Sequence, residues 1–129
     1  MITELKPNEI FVFGSNLAGR HGAGAALFAV KNFGAIPGKG EGLQGQCYAI
    51  PTKNKQMKTL PLYIIFAYVH AFRNCALSLS EKRFLVTPIG CGLAGYLPKD
   101  IAPMFRNMPN NVILPEEFLK ILATEPSET

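Results

Sequence analysis

The chain has 129 residues, of which 48% are hydrophobic and 17% are charged, so it has the size and composition of one compact domain. Its three cysteines are odd in number and far apart, and no cysteine or histidine spacing fits a zinc site, so the sequence disfavours both a disulfide framework and a zinc site. The longest apolar run, residues 60–72, is shorter than the ~20 residues of a membrane helix. We therefore expect a cytoplasmic domain spanning residues 1–129, without a signal peptide, membrane contact, metal or cofactor.

The net charge of +4 is distributed unevenly along the chain. Residues 1–110 contain twelve basic and five acidic residues, whereas residues 111–129 contain one basic and four acidic residues. The excess of basic residues in residues 1–110 favours an anionic partner, which is either a phosphate-bearing small molecule or a nucleic acid. The lysines that would support a nucleic-acid-binding module are Lys31, Lys39, Lys53, Lys55 and Lys58.

In the first third of the chain, the sequence pattern predicts a buried strand that leads directly into a helix. Residues 10–13 are Ile-Phe-Val-Phe, a short apolar run typical of a strand buried on both faces. The sequence predicts a strand over 9–14 and a helix over 23–33. A long mobile loop over 34–45 and a second strand over 46–50, closed by Pro51, are expected to follow.

The remainder of the chain repeats this alternation. Apolar residues spaced three and four apart predict the longest helix, which begins at Pro61. Those residues are Leu62, Ile65, Val69, Phe72, Ala76 and Leu79. The other predicted elements are a strand over 83–88, a loop over 89–96, a helix from its cap Asp100 to Met108, a strand over 111–114, a helix from Pro115 and a frayed tail over 124–129.

Strands that alternate with helices indicate an α/β fold with a mostly parallel sheet and helices on both faces. In such folds, ligands bind beyond the carboxyl ends of the strands. Two glycine-rich segments are expected at those ends. We call them the first glycine loop (residues 14–24) and the second glycine loop (residues 90–96).

The first glycine loop connects a strand to the amino end of a helix. Backbone N–H groups that no side chain covers can converge there on a phosphate or pyrophosphate. Asn16 can bind a ribose, and Arg20 and His21 can neutralise charge. The glycines can equally serve only to permit a tight turn. The binding residues predicted from this loop are Gly14, Ser15, Asn16, Arg20, Gly22, Ala23 and Gly24.

The second glycine loop should lie at the same edge of the sheet, where it can clamp a diphosphate from the other side. Tyr96 can stack on a sugar or a base, or it can close the core. Cys91 can be a nucleophile or a small buried residue. The binding residues predicted from this loop are Gly90, Cys91, Gly92, Leu93, Ala94, Gly95 and Tyr96.

General acids and bases are scarce in this sequence. Asp100 is the only aspartate, and there are two histidines. His21, in the first glycine loop, is the better catalytic candidate together with Asn16, whereas His70 is expected on the exposed side of its helix. Paired-carboxylate hydrolysis is not indicated.

Both glycine loops resemble those of the macro domain family, whose members bind ADP-ribose on a three-layer α/β/α fold. Residues 13–26 read Phe-Gly-Ser-Asn-Leu-Ala-Gly-Arg-His-Gly-Ala-Gly-Ala-Ala and residues 88–96 read Pro-Ile-Gly-Cys-Gly-Leu-Ala-Gly-Tyr. The chain is most similar to a compact macro-like branch found in bacteria and phages. The likeness covers about residues 9–107 and implies a macro-like domain.

The resemblance implies that Asn16 lies near the distal ribose of ADP-ribose and that the two glycine loops hold its phosphates. ADP-ribosylated macromolecules are then the implied partners, and hydrolysis of ADP-ribosyl linkages is left open. The family's acidic adenine-reading motif has no counterpart in residues 1–8, so another nucleotide or nucleoside diphosphate sugar is an alternative. A Rossmann-like nucleotide-processing hydrolase and a basic nucleic-acid-binding module are the other two hypotheses.

Overall fold

The computed structural model describes residues 2–124 of the chain. The strands in this range are β1 (Glu9–Asn16), β2 (Gly42–Gln44), β3 (Cys47–Lys53), β4 (Arg83–Val86) and β5 (Val112–Ile113). The helices are α1 (Gly24–Phe33), α2 (Leu62–Ser78), α3 (Pro98–Ile101), which continues as the 3-10 helix Ala102–Phe105, and α4 (Glu116–Thr124).

The five strands form one sheet in the order β2-β3-β1-β4-β5. Only β2 runs antiparallel to its neighbour, which confirms the prediction of an α/β fold with a mostly parallel sheet. Because β1, β3 and β4 are parallel neighbours, their carboxyl ends lie at one edge of the sheet. The two glycine loops begin at two of these ends.

Side chains of β1 alternate between two hydrophobic cores, as the period of a strand requires. Phe11 and Phe13 pack in the smaller core, where α1 contributes Ala29. Ile10 and Val12 point the other way into the larger core. All five side chains are buried, so β1 is the strand buried on both faces that the sequence predicts.

The larger core lies between the sheet and the remaining helices. The predicted apolar stripe of α2 supplies its four buried residues, Ile65, Val69, Phe72 and Ala76. The 3-10 helix and α4 add Phe105 and Phe118, whose ring centroids are 5.5 Å apart. His70 lies on the exposed side of α2, as predicted.

Two features of the segment 34–53 differ from the sequence prediction. The predicted loop over 34–45 contains β2, which pairs antiparallel with Cys47–Ala49 of β3. Strand β3 also continues through Pro51 to Lys53 instead of closing at Pro51. Pro51 is tolerated because the pairing with β2 stops at Ala49, so its missing N–H costs no bond on that side of the strand.

The third helix also differs from its prediction. Asp100 lies inside the first turn and is not the cap, and its carboxylate accepts a hydrogen bond from the Leu97 N–H at 3.0 Å. The α-helix gives way to the 3-10 helix after Ile101, where Pro103 has no N–H with which to continue it. The helical segment as a whole ends at Phe105 and not at Met108.

The ends of the other elements differ from their predicted positions by one or two residues. β4 ends at Val86 and β5 is shorter than predicted. Thr124 belongs to α4 and not to a frayed tail, and the rest of the predicted tail, 125–129, lies outside the described residues.

Candidate functional site

A cavity of about 510 Å³ opens at the edge of the sheet where β1, β3 and β4 end. Both glycine loops line it, and we call it the glycine cleft. Eleven of the fifteen predicted site residues lie on its walls: Gly14, Ser15, Asn16, Arg20, Gly22, Ala23, Gly24, Gly90, Gly92, Leu93 and Ala94. The remaining four, His21, Cys91, Gly95 and Tyr96, do not line it.

Asn16 shapes the first glycine loop through its side-chain amide. Its Oδ1 accepts a hydrogen bond from the Arg20 N–H, and its Nδ2 donates one to the Arg20 carbonyl, both at 2.9 Å. These two bonds close a tight turn in which Gly19 has a φ of 70°. The amide retains capacity for one more donated and one more accepted hydrogen bond.

Residues 36–40 pack against the back of the first glycine loop. The Gly38 N–H donates a hydrogen bond of 2.9 Å to the Gly19 carbonyl. A Cβ on Gly19 would collide with the backbone of Gly38, and a Cβ on Gly40 would collide with the carbonyl of Asn16. Glycine is therefore required at both positions by contact between two stretches of backbone.

His21 is buried in this contact. Its Nε2 lies 3.0 Å from the Lys39 carbonyl oxygen, and its ring meets the ring of Phe13 edge-on at 5.2 Å between centroids. The opposite nitrogen, Nδ1, is buried without a hydrogen-bond partner among the described residues. The imidazole thus joins two loops behind the cleft and does not reach the position of a general base within it.

Gly22 and Gly92 face open space in the glycine cleft. Neither has a positive φ, and a Cβ on either would meet no protein atom within 4 Å. Gly24 faces equally open space, but its φ of 57° itself favours glycine. Alanine would fit the protein at 22 and 92, so the glycines there leave the backbone accessible to a ligand.

The amino end of α1 lies in the cleft without a cap. Gly24 and Ala25 line the cavity, no side chain caps the helix, and its first turn contains no acidic residue. The first four N–H groups of a helix have no acceptor within the helix and carry partial positive charge. Together with the exposed backbone of Gly22, they can bind an anion.

The second glycine loop is anchored by Tyr96. The Tyr96 hydroxyl donates to the Leu60 carbonyl at 2.7 Å, and the Tyr96 N–H donates to the Gly90 carbonyl at 2.9 Å. Gly90 has a φ of 76°, and a Cβ there would lie 2.9 Å from Cδ1 of Ile101. Tyr96 therefore holds the loop in place, while Gly92, Leu93 and Ala94 face the cleft.

Cys91 has the properties of a structural residue. Burial, followed by the nearby carboxylates of Glu117 and Asp100, raises the pKa of its thiol to about 11. The thiol is consequently protonated at neutral pH and is a weak nucleophile.

The charged residues that line the cleft are both basic, Arg20 and Lys53. Among the described residues, the cleft is lined by no carboxylate and no imidazole. No cluster of three or more metal-ligating side chains occurs in residues 2–124. The cleft therefore offers backbone N–H groups and two cations, which suit a phosphate better than acid–base chemistry.

Several residues of the cleft were missed in the sequence analysis: Ala25, Ala26, Thr52, Lys53, Met57, Thr87, Pro88 and Ile89. Most of them follow or end β3 and β4. Thr52 donates a hydrogen bond from Oγ1 to the Ser15 carbonyl at 3.2 Å, which joins β3 to the first glycine loop. The rule that parallel strands end at one edge could have identified Thr52 and Lys53, had β3 not been predicted to close at Pro51.

Comparison of the chain with protein-family models, with curated proteins and with solved structures gives no match. None of the helices in residues 2–124 is both long enough and apolar enough to span a membrane.

Proposed function

We propose that this chain is a macro-like domain that binds ADP-ribose or a related nucleoside diphosphate in the glycine cleft. The observation that carries the proposal is the uncapped amino end of α1, which lines the same cavity as the two open glycines Gly22 and Gly92. Backbone N–H groups there suit the oxygens of a diphosphate.

Each wall of the cleft then has a separate role. The backbone at Gly22, Ala23 and Gly24 binds one phosphate, and the backbone at Gly92 binds the diphosphate from the other side. Arg20 and Lys53 neutralise its charge. The remaining hydrogen-bonding capacity of the Asn16 amide serves the distal ribose.

The topology supports the macro-like part of the proposal. The central strand β1 leads into α1, and the two hydrophobic cores lie on opposite faces of β1, as a three-layer α/β/α domain requires. The two loops that resemble the macro domain family follow β1 and β4, which are neighbours in the sheet.

The chemistry of the cleft favours binding over turnover. Among the described residues, neither His21 nor Cys91 lines the cleft, and no carboxylate does, so the usual general bases of hydrolysis are not part of its walls. An ADP-ribosylated macromolecule is accordingly proposed as a partner that is recognised through its ADP-ribosyl group.

Titration calorimetry with ADP-ribose, ADP and inorganic pyrophosphate tests the proposal. We expect saturable binding of all three, which Lys53→Met weakens because it removes a cation from the cleft wall. Lys31→Met is the matched control, since Lys31 lies in the last turn of α1, at the opposite end from the cleft.

Two results would contradict the proposal. One is the absence of binding by all three compounds. The other is an affinity for nucleic acid that falls steeply with salt and is weakened equally by both lysine substitutions, as a general basic surface would give.

A further inference from the structure

The exposed face of α2 carries no formal charge. Eight residues of this helix are exposed, between Tyr63 and Ser78, and none of them is an acid, a lysine or an arginine. The exposed face of a helix normally carries charged side chains. This face instead presents three large apolar side chains, with Tyr63 74%, Phe66 53% and Leu77 48% exposed. An exposed apolar surface of this kind indicates a site of interaction with another molecule.

Five of the exposed side chains form a row along the middle of this face. They are Tyr63, Phe66, His70, Asn74 and Leu77, and their spacings of three, four, four and three residues keep them on one side of the helix. The row is symmetric about His70: two members lie four residues from it, one in each direction, and two lie seven residues from it.

This symmetry fits a second copy of the same helix running antiparallel. In a two-fold interface, if residue i contacts residue j, then j also contacts i. With His70 on the two-fold axis, Tyr63 of each copy lies opposite Leu77 of the other. Phe66 of each copy lies opposite Asn74 of the other. Two large apolar side chains therefore meet at each end of the row, and no like charges meet along it.

The residues beside the row permit a second helix to approach. On one side lie Ala67 and Ala71, whose small side chains allow a short distance between the helix axes. On the other side lies Arg73, which donates a hydrogen bond from Nε to the Asn107 carbonyl at 3.3 Å. Its guanidinium is therefore held by its own chain.

The area of the face is enough for a weak dimer. The exposed parts of the Tyr63 and Phe66 side chains present roughly 200–300 Å², which is about a third of the ~800 Å² that each partner of a standard interface buries. The other exposed residues of the helix bring the area towards the lower limit of specific interfaces. No residue of α2 lines the glycine cleft, so the contact leaves the cleft open.

We propose that two copies of this chain associate through α2, packed antiparallel with His70 on the two-fold axis. The association needs no ligand, so it stands or fails independently of the function proposed for the glycine cleft. Because the interface is small, the dimer should form at chain concentrations of about 1–100 μM.

Sedimentation of the full chain without ligand tests the proposal. We expect a reversible equilibrium between monomer and dimer. His70→Glu should weaken the dimer at least about tenfold, because two carboxylates then face each other on the axis, and His70→Lys should weaken it similarly through two ammonium groups. An equimolar mixture of the two variants should restore the dimer, which also shows that both are folded. Asn32→Glu is the matched control, because Asn32 is exposed on α1, on the opposite face of the sheet.

A second pair of variants tests the direction of packing. The thiols introduced by Tyr63→Cys and Leu77→Cys lie opposite each other only if one variant pairs with the other. We therefore expect a disulfide-linked dimer on mild oxidation of the mixture, and none from either variant alone or from the unmodified chain. Within an antiparallel pair of one variant, the two introduced thiols are about 21 Å apart along the helix.

Three results would overturn the proposal. The first is a chain that stays monomeric up to about 500 μM, which would assign the face to a different protein. The second is a dimer that His70→Glu leaves intact. The third is crosslinking of Tyr63→Cys alone and of Leu77→Cys alone, as parallel packing would give.

Discussion

Replacing single glycines with alanine separates the glycines that serve the fold from those that leave room for a ligand. Gly22→Ala places a methyl group in open space at an ordinary φ. Such a change stabilises a protein by about 0.4–1 kcal/mol, because it reduces the freedom of the unfolded chain. In a domain of this size the melting temperature should rise by about 2–5 °C.

Gly19→Ala should have the opposite effect on stability. A non-glycine residue at its φ of 70° costs about 1–2 kcal/mol, and the collision with the Gly38 backbone adds about 1–3 kcal/mol. We expect a total loss of about 2–5 kcal/mol, with a melting temperature lower by about 8–20 °C.

The same variants should differ in binding. The methyl group of Gly22→Ala stands where a phosphate would approach the backbone and should remove at least one charge-assisted hydrogen bond, so the affinity for ADP should fall about 10- to 100-fold. Differential scanning calorimetry and titration calorimetry on the same preparations measure both effects. The role of Gly22 in leaving room for a ligand would be refuted by either of two results. Gly22→Ala could destabilise the protein as much as Gly19→Ala does, or it could leave the affinity for ADP unchanged.

Three further outcomes follow from particular contacts. Asn16→Ala should destabilise the protein by about 1–3 kcal/mol in urea unfolding, because both bonds to the Arg20 backbone are lost. Tyr96→Phe should cost about 1 kcal/mol through the lost bond to the Leu60 carbonyl and leave ADP affinity unchanged; weaker binding would instead place its hydroxyl at the ligand. Burial raises the pKa of Cys47 from 9.0 to about 11, so the folded state holds this proton more tightly than the unfolded state. Its contribution to stability is complete below about pH 9 and is lost as pH rises towards 11, and Cys47→Ala should flatten that decline in urea unfolding measured from pH 8 to 11.

The sequence was most informative where one periodic pattern decided the structure. The stripe of α2 and the apolar run of β1 each have a single arrangement that buries their side chains. The short strand β2 could not be recognised, because its three residues have no pattern and depend on pairing with β3. Pro51 was misread for a similar reason, since whether proline ends a strand depends on which neighbour lies beside it.

Part of the candidate site could likewise be predicted from the sequence, and part could not. The local sequence identified the two glycine loops, and the order of strands and helices predicted that they meet. The sequence could not assign roles within a loop: Gly19 and Gly22 are three residues apart, yet Gly19 lies against the backbone of Gly38 and Gly22 faces open space.

The contact between the first glycine loop and residues 36–40 lowers the entropic cost of ligand binding. The Gly19 turn is held by the Gly38 N–H on one side and by the Asn16 amide within the loop, so it is already arranged before any ligand arrives. A receptor arranged in advance loses little conformational entropy on complex formation. Association should then be fast, in a single kinetic phase whose rate rises linearly with ligand concentration, without the slower rearrangement step that an unformed loop would add.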